Sequence, residues 1–310
     1  MGENIVFEQK KIDAENACDY TQSANSLFHF MKEYRFLEEA LTKKAMLPRF
    51  YVEDITYLNL NMMGQPFKEI AVLQKCFCDI PFHQISNISK VDVFDKEKKE
   101  RKENKTQYYC HTDLYGEYGI AFSKKWAESH NVQPVHYINE NTEFCHNFSQ
   151  ALEMAFEAEE LDDKIAYSFL QRLAFMKPLK GWMPVRDGYI YKNFHDECEW
   201  RYVPKDGQGG KDEIDPVIAN PSTCVDSGHL DWMNMSLKQE VYEKLWLHYD
   251  YDDITYVIVP DNLARQQLID CIIKLPVSNF RDFGDASSVQ RQKLTLISKI
   301  MVLSQITKDF

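Results

Sequence analysis

At 310 residues the chain has room for one large domain or two modest ones, and its 44% hydrophobic and 13% aromatic content supports a substantial core. Forty-eight acidic against 36 basic residues leave a net charge of −12, which disfavours sequence-independent binding to phosphate backbones and suits protein, nucleotide or small-molecule partners. No apolar run approaches a membrane span and the first twenty residues hold no hydrophobic segment, so neither a membrane anchor nor a signal peptide is expected, and the location is cytoplasmic. Met1-Gly2 does not make a myristoylation site, because Val6 stands where a small hydroxyl residue is needed. Eight cysteines occur without a repeated Cys-x-x-Cys, and Cys76-x-Cys78 is too tight for a zinc knuckle, so reduced thiols are expected.

Residues 1–22 form a polar lead-in. Ser26-Leu27-Phe28-His29-Phe30 has strand character and runs into a helix over 33–44, where Phe36, Leu37, Ala40 and Leu41 recur at helical spacing. Pro48 stops that helix, and Arg49-Phe50-Tyr51-Val52 returns to extended structure. A strand over 71–82 ends at proline, and residues 95–105, alternating in charge with no apolar anchor, read as a solvated insertion or helix tip. Tyr115-Gly116-Glu117-Tyr118-Gly119 turns into a strand ending at Ser123, followed by a short helix over 124–130 and a strand over 134–138. Residues 149–177 switch to helical periodicity, as a pair or one interrupted helix.

The most informative stretch follows, His195-Asp196-Glu197-Cys198-Glu199-Trp200-Arg201-Tyr202-Val203-Pro204. Read as one strand, it puts Glu197, Glu199 and Arg201 on one face and Cys198, Trp200 and Tyr202 on the other. That charged face is either a solvated surface with an internal charge pair or a carboxylate pair held on a rigid element for chemistry. Gly207-Gln208-Gly209-Gly210 opens a polar connector, and the chain closes with a strand over 254–259, a helix over 263–274 and an amphipathic helix over 287–307. The amphipathic helix packs on its own domain or mediates self-association. Three parts are expected: the lead-in to 22, a core over 23–260 with a helical insertion at about 149–177, and C-terminal helices over 261–310 packed on the core. The fold class is α+β, a mixed, mainly antiparallel sheet with inserted helices.

Six ordered blocks resemble the AbiGi family of abortive phage-resistance proteins. They are Leu27–Phe30, Phe77–Pro81, Tyr115–Ala121, Pro134–Ile138, His195–Pro204 and Asp253–Val259, so the likeness spans about residues 25–260, and Asp309-Phe310 extends it. The resemblance implies a part in antiviral defence, as the neutralising half of a two-gene system with a toxin or other defence-system protein as partner.

A looser resemblance is to the ADP-ribosyltransferase fold, especially DarT-like members. It implies a histidine on the opening strand (His29), an aromatic that stacks on nicotinamide (Tyr118 or Tyr115) and a glutamate on a late strand (Glu199). Glu197-Cys198-Glu199 repeats the glutamate-x-glutamate spacing of some arginine-modifying members, whereas the wide gap over 119–196 departs from the pattern. NAD would then be the substrate, with a protein or nucleotide as target. Glu199 would stabilise an oxocarbenium-like transition state and Glu197 would orient or deprotonate the acceptor. His29 would donate to a ribose hydroxyl or pyrophosphate oxygen, and Arg49 would bind phosphate. His111-x-Asp113 and His195-Asp196 lack a third ligand by spacing, so no metal is assigned. A non-catalytic antitoxin that blocks a toxin by contact stands as the alternative.

Overall fold

The computed structural model describes residues 23–62, 64–85, 87–95, 101–157, 163–186, 188–205, 214–219 and 227–309. The lead-in over 1–22, the Gly207–Gly210 connector and Phe310 lie outside them.

In chain order the strands and helices that place the site are β1 (Ser26–Met31), α1 (Tyr34–Lys43), β2 (Arg49–Asp54), β3 (Glu69–Cys78), β4 (Ser89–Phe94), β5 (Arg101–Tyr109), α2 (His111–Tyr115), β6 (Tyr118–Ser123), α3 (Lys124–Ser129), β7 (Val132–Pro134), β8 (His136–Ile138), α4 (Glu143–Glu157), α5 (Asp163–Ala174) and β9 (Met176–Pro178). They continue with β10 (Lys180–Val185), β11 (Gly188–Asn193), β12 (Glu199–Tyr202), β13 (Val217–Ala219), α6 (Ser227–Ser236), β14 (Ile254–Val259), α7 (Asn262–Lys274), α8 (Ala286–Ser298), β15 (Ile300–Val302) and α9 (Leu303–Asp309). A nine-stranded sheet runs β7-β12-β3-β1-β6-β14-β15, with β2 and β13 also paired to β3. Its pairs are antiparallel except β14 with β15. A second, four-stranded antiparallel sheet runs β10-β11-β4-β5. The protein is therefore α+β and mainly antiparallel.

The hydrophobic pattern explains the layering. In β1, Leu27 and Met31 join one core cluster while Phe28 and Phe30 join another, so the strand is covered on both faces. The first cluster takes Leu37, Ala40 and Leu41 from α1, and Leu268, Ile272, Val289 and Leu296 from α7 and α8. Side chains terminate the helices: Asp261 accepts from the Ala264 N–H at 2.8 Å, and Lys293 Nζ donates to the Ile273 and Leu275 carbonyls at 2.6 and 2.8 Å, closing the end of α7. Among the described residues no helix is long and apolar enough to cross a membrane.

Four expectations need correction. Of the stretch over 95–105 read as an insertion tip, 96–100 lie outside the described residues and 101–105 belong to β5, a strand paired to β4, because backbone hydrogen bonds from an edge strand require no apolar alternation. The helix read over 287–307 stops at Ser298; Ile300–Val302 leave it to pair in parallel with Val257–Val259, and a short helix resumes at Leu303. Residues 134–138 divide between β7, which pairs with β12, and β8, which pairs with β9. The helical pair falls at Glu143–Glu157 and Asp163–Ala174, starting one turn or more before position 149.

Candidate functional site

A break in the main sheet creates the site. On one edge of β3, β12 and β13 follow one another, with Asp79 N–H donating to Cys198 O and Leu73 N–H to Pro216 O. On the opposite edge β2 pairs from Glu69 to Gln74, and the β1–β3 ladder is the single Phe28–Cys78 pair. Among the described residues no strand takes up that edge between Gln74 and Cys78. There the Cys76 carbonyl accepts from the His29 ring, 2.7 Å from Nδ1. A cavity of about 760 Å³ opens at this break, bordered by β1, β2, Gln74–Cys78, α2, β9 and the β10 strand. Its size falls within the usual range for small-molecule sites.

His29, Arg49, Tyr115, Glu197 and Glu199 all border this cavity. Tyr118 does not; its ring packs beside Tyr34, 6.0 Å between centroids, against the main core. Of the two tyrosines flanking Gly116, only Tyr115 faces the cleft. Gly116, at φ +115°, sets that tyrosine's place, because a Cβ there would lie 2.1 Å from the Met31 carbonyl oxygen.

The acidic stretch is not one strand. Phe194–Glu197 is a 3-10 turn, Cys198 is left-handed at φ +43° and exposed, and the strand begins at Glu199. Glu197 reaches the cluster from that turn, while Glu199 and Arg201 share a strand face opposite Trp200 and Tyr202, which enter the core. The solvated-surface reading is overturned: Glu197 and Glu199 are buried, and Arg201 is 0% exposed.

Buried charges need partners, and these have them. Arg201 Nε donates to Glu199 Oε1 at 2.6 Å, its Nη2 lies 3.1 Å from Glu53 Oε1, and its Nη1 donates to the Ala174 carbonyl. Lys177 Nζ donates to both carboxylates, 2.7 Å from Glu197 Oε2 and 2.7 Å from Glu199 Oε2. Lys192 Nζ reaches Glu197 Oε1 at 2.8 Å, and the Tyr115 hydroxyl donates to that same oxygen. Burial alone would raise the Glu199 pKa, but Arg201 and Lys177 outweigh it and hold the carboxyl well below the usual carboxylate range. Burial acts the same way on Glu197, where Lys177 and Lys192 prevail and lower its pKa. The two acids therefore stay ionised and fixed, suited to electrostatic work and ill suited to giving up a proton.

The two histidines at the cavity are neutral. Burial pushes the His29 imidazole well below its ordinary pKa, with Lys75 adding to the effect. Because its Nδ1–H is spent on Cys76, His29 offers the cleft an accepting Nε2 rather than a donor. His111 is lowered to about 4 by burial, stacks obliquely on Tyr115, and lies 3.4 Å from the Cys78 sulfur. Asp113 turns away from His111 and accepts from the Cys110 N–H at the start of α2. Among the described residues no group of three or more His, Cys, Asp or Glu is arranged to hold a metal. Lys177, Lys192, Glu53, Gln74 and Lys75 are site residues that sequence reasoning did not single out; lysine on a short polar strand carries no local sign of burial.

The family model described as "abortive phage resistance protein AbiGi, antitoxin" matches residues 104–260, about half of the chain. The chain belongs to the AbiGi family. The AbiGi match takes in α2 with Tyr115, both lysines of the network and the acid pair itself. The chain is also similar to "Abortive phage resistance protein AbiGi" of Lactococcus lactis subsp. cremoris, 29% identical over 278 residues that cover 86% of this chain and 100% of that protein. No solved structure matches.

Proposed function

We propose that this AbiGi protein acts in phage defence through the sheet-break cleft, and that the cleft takes NAD. The observation that carries the reading is the convergence of His29, Arg49, Tyr115, Glu197 and Glu199, drawn from four separate parts of the chain, on one cavity large enough for a dinucleotide. Arg49 would meet phosphate, the Tyr115 ring would stack on nicotinamide, and His29 Nε2 would accept from a ribose hydroxyl. In the reaction this supports, the bond from the ribose anomeric carbon to nicotinamide breaks and its electron pair leaves with nicotinamide. Ionised Glu199 stabilises the oxocarbenium character that develops, and a nucleophile on the target attacks that carbon and loses its proton. Incubating the full chain with NAD labelled in its adenylate should give labelled target or free ADP-ribose with release of nicotinamide. Glu199→Gln, checked for native circular dichroism, should abolish both, and Lys177→Met serves where that variant misfolds. No binding and no turnover of NAD by the wild-type chain overturns the reading.

A second reading is a non-catalytic antitoxin, favoured by one observation: Arg201, Lys177 and Lys192 already saturate the acid pair. It agrees with the family description. Here the acidic surface would cover a basic face of a toxin. Neutralisation of the toxin by Glu199→Gln as well as by wild type, with no NAD consumed, would select it.

A further inference from the structure

Two buried polar atoms bordering the sheet break have no hydrogen-bond partner among the described residues, Gln74 Oε1 and Arg49 Nε. They belong to residues directly opposite one another in the β2–β3 ladder, and both residues border the cavity. Gln74 is 2% exposed. Its amide orientation is set, because Nε2 donates to Glu53 at 2.6 Å and leaves the oxygen as the open acceptor. A buried acceptor and a buried donor left side by side are costly unless something answers them.

Lys75, the next residue, adds charge. It borders the same cavity and, among the described residues, makes no ion pair. Glu39, the acid that acts on it, is engaged by Lys238 at 2.7 Å. Burial first, then the charges of Arg49 and Lys238, pull the Lys75 pKa down to about 8. The break thus gathers a guanidinium and an ammonium beside one fixed acceptor, while the nearby acids Glu39 and Glu53 are engaged by Lys238 and Arg201.

We propose that the break is a sugar-phosphate subsite, in which Arg49 and Lys75 hold phosphate oxygens and Gln74 Oε1 accepts from an adjacent sugar hydroxyl. The assignment rests on reading the cleft as a dinucleotide pocket, and it names which end of the ligand lies at the break. A phosphorylated nucleoside satisfies all three groups, whereas an uncharged nucleoside leaves both cations unanswered.

Calorimetric titration of the full chain with ADP-ribose, NAD, pyrophosphate and adenosine tests this. ADP-ribose should bind and adenosine should not. Arg49→Ala and Lys75→Met should each weaken ADP-ribose and pyrophosphate by about tenfold or more. Gln74→Leu should weaken ADP-ribose yet leave pyrophosphate unchanged. Each variant is first shown to melt cooperatively, and Lys75→Arg, which restores the charge, should recover binding. If NAD binds and these substitutions leave its affinity unchanged, the subsite is overturned while the NAD reading stands. If ADP-ribose and pyrophosphate bind and respond as expected but NAD does not bind, the NAD reading fails and the subsite stands. Binding of no phosphorylated probe overturns the subsite outright.

Discussion

Arg201, wholly buried, donates from Nε to Glu199 Oε1 over 2.6 Å, and this contact fixes the late carboxylate in place. The two residues lie two apart on β12, so the strand itself sets their spacing. Arg201 also ties Glu199 to Glu53 on β2 and to the end of α5, which makes it the junction between the cleft and the helical pair. Removing one partner of a buried pair strands the other charge. Arg201→Met should therefore lower unfolding free energy by about 3–5 kcal/mol, measured by urea denaturation. Replacing Arg201 and Glu199 together by Met and Leu should cost less than Arg201→Met alone; a double variant less stable than the single one would contradict the account.

Acid should weaken the fold through this same cluster. Both carboxyls have folded pKa values below the ordinary glutamate value of about 4.5. Such groups bind fewer protons folded than unfolded, so their contribution is complete above about pH 5 and declines as pH falls through 4 and below. Thermal melts between pH 7 and pH 3 should show a steep fall in Tm for wild type. Glu197→Gln should start lower at pH 7 and fall less steeply. Parallel slopes for the two proteins would show that Glu197 is not among the groups responsible.

Much of the layout was legible because its signals are local. Leu27–Phe30 is a short run of leucine and aromatic rings, Ile254–Val259 is a β-branched and aromatic run, and Pro48 separates α1 from β2. The acid pair was legible because two glutamates and an arginine at alternate positions stand out on any element. What stayed hidden depends on distant partners. Lys177 lies 20 residues from Glu197 and on a three-residue strand, so no periodicity marks it as buried. Ile300–Val302 continue a helical hydrophobic pattern and become a strand only because β14 offers an open parallel edge. Cys198 breaks the acidic stretch through a left-handed backbone conformation that a non-glycine residue gives no notice of.

The two tyrosines flanking Gly116 provide a sharp contrast. Tyr115 borders the cleft over Lys192 and beside His111, whereas Tyr118 sits at Tyr34 on the far side of that glycine's turn. Tyr115→Ala should weaken NAD binding by about fivefold or more, the scale of one lost aromatic contact. Tyr118→Ala should leave binding unchanged, although it loosens packing against α1. Calorimetry on both variants, alongside their melting temperatures, separates ligand contact from packing, and equal losses of affinity would place the nicotinamide elsewhere.

Lys75 gives ligand binding a pH dependence of defined sign. Its pKa near 8 means that the ligand-free protein carries this charge at pH 7 and largely lacks it at pH 9.5. A bound phosphate favours the charged form, so affinity for ADP-ribose should fall by roughly tenfold across that interval, with proton uptake on binding near pH 8.5. The neighbours do not produce the same profile. His29 is neutral throughout, and burial raises the Cys76 thiol well above its ordinary pKa. Glu39 is paired to Lys238. Lys75→Arg should bind ADP-ribose with an affinity nearly level from pH 7 to pH 9.5. A wild-type affinity equally level, measured in buffers of different ionisation enthalpy, would remove Lys75 from the phosphate contact.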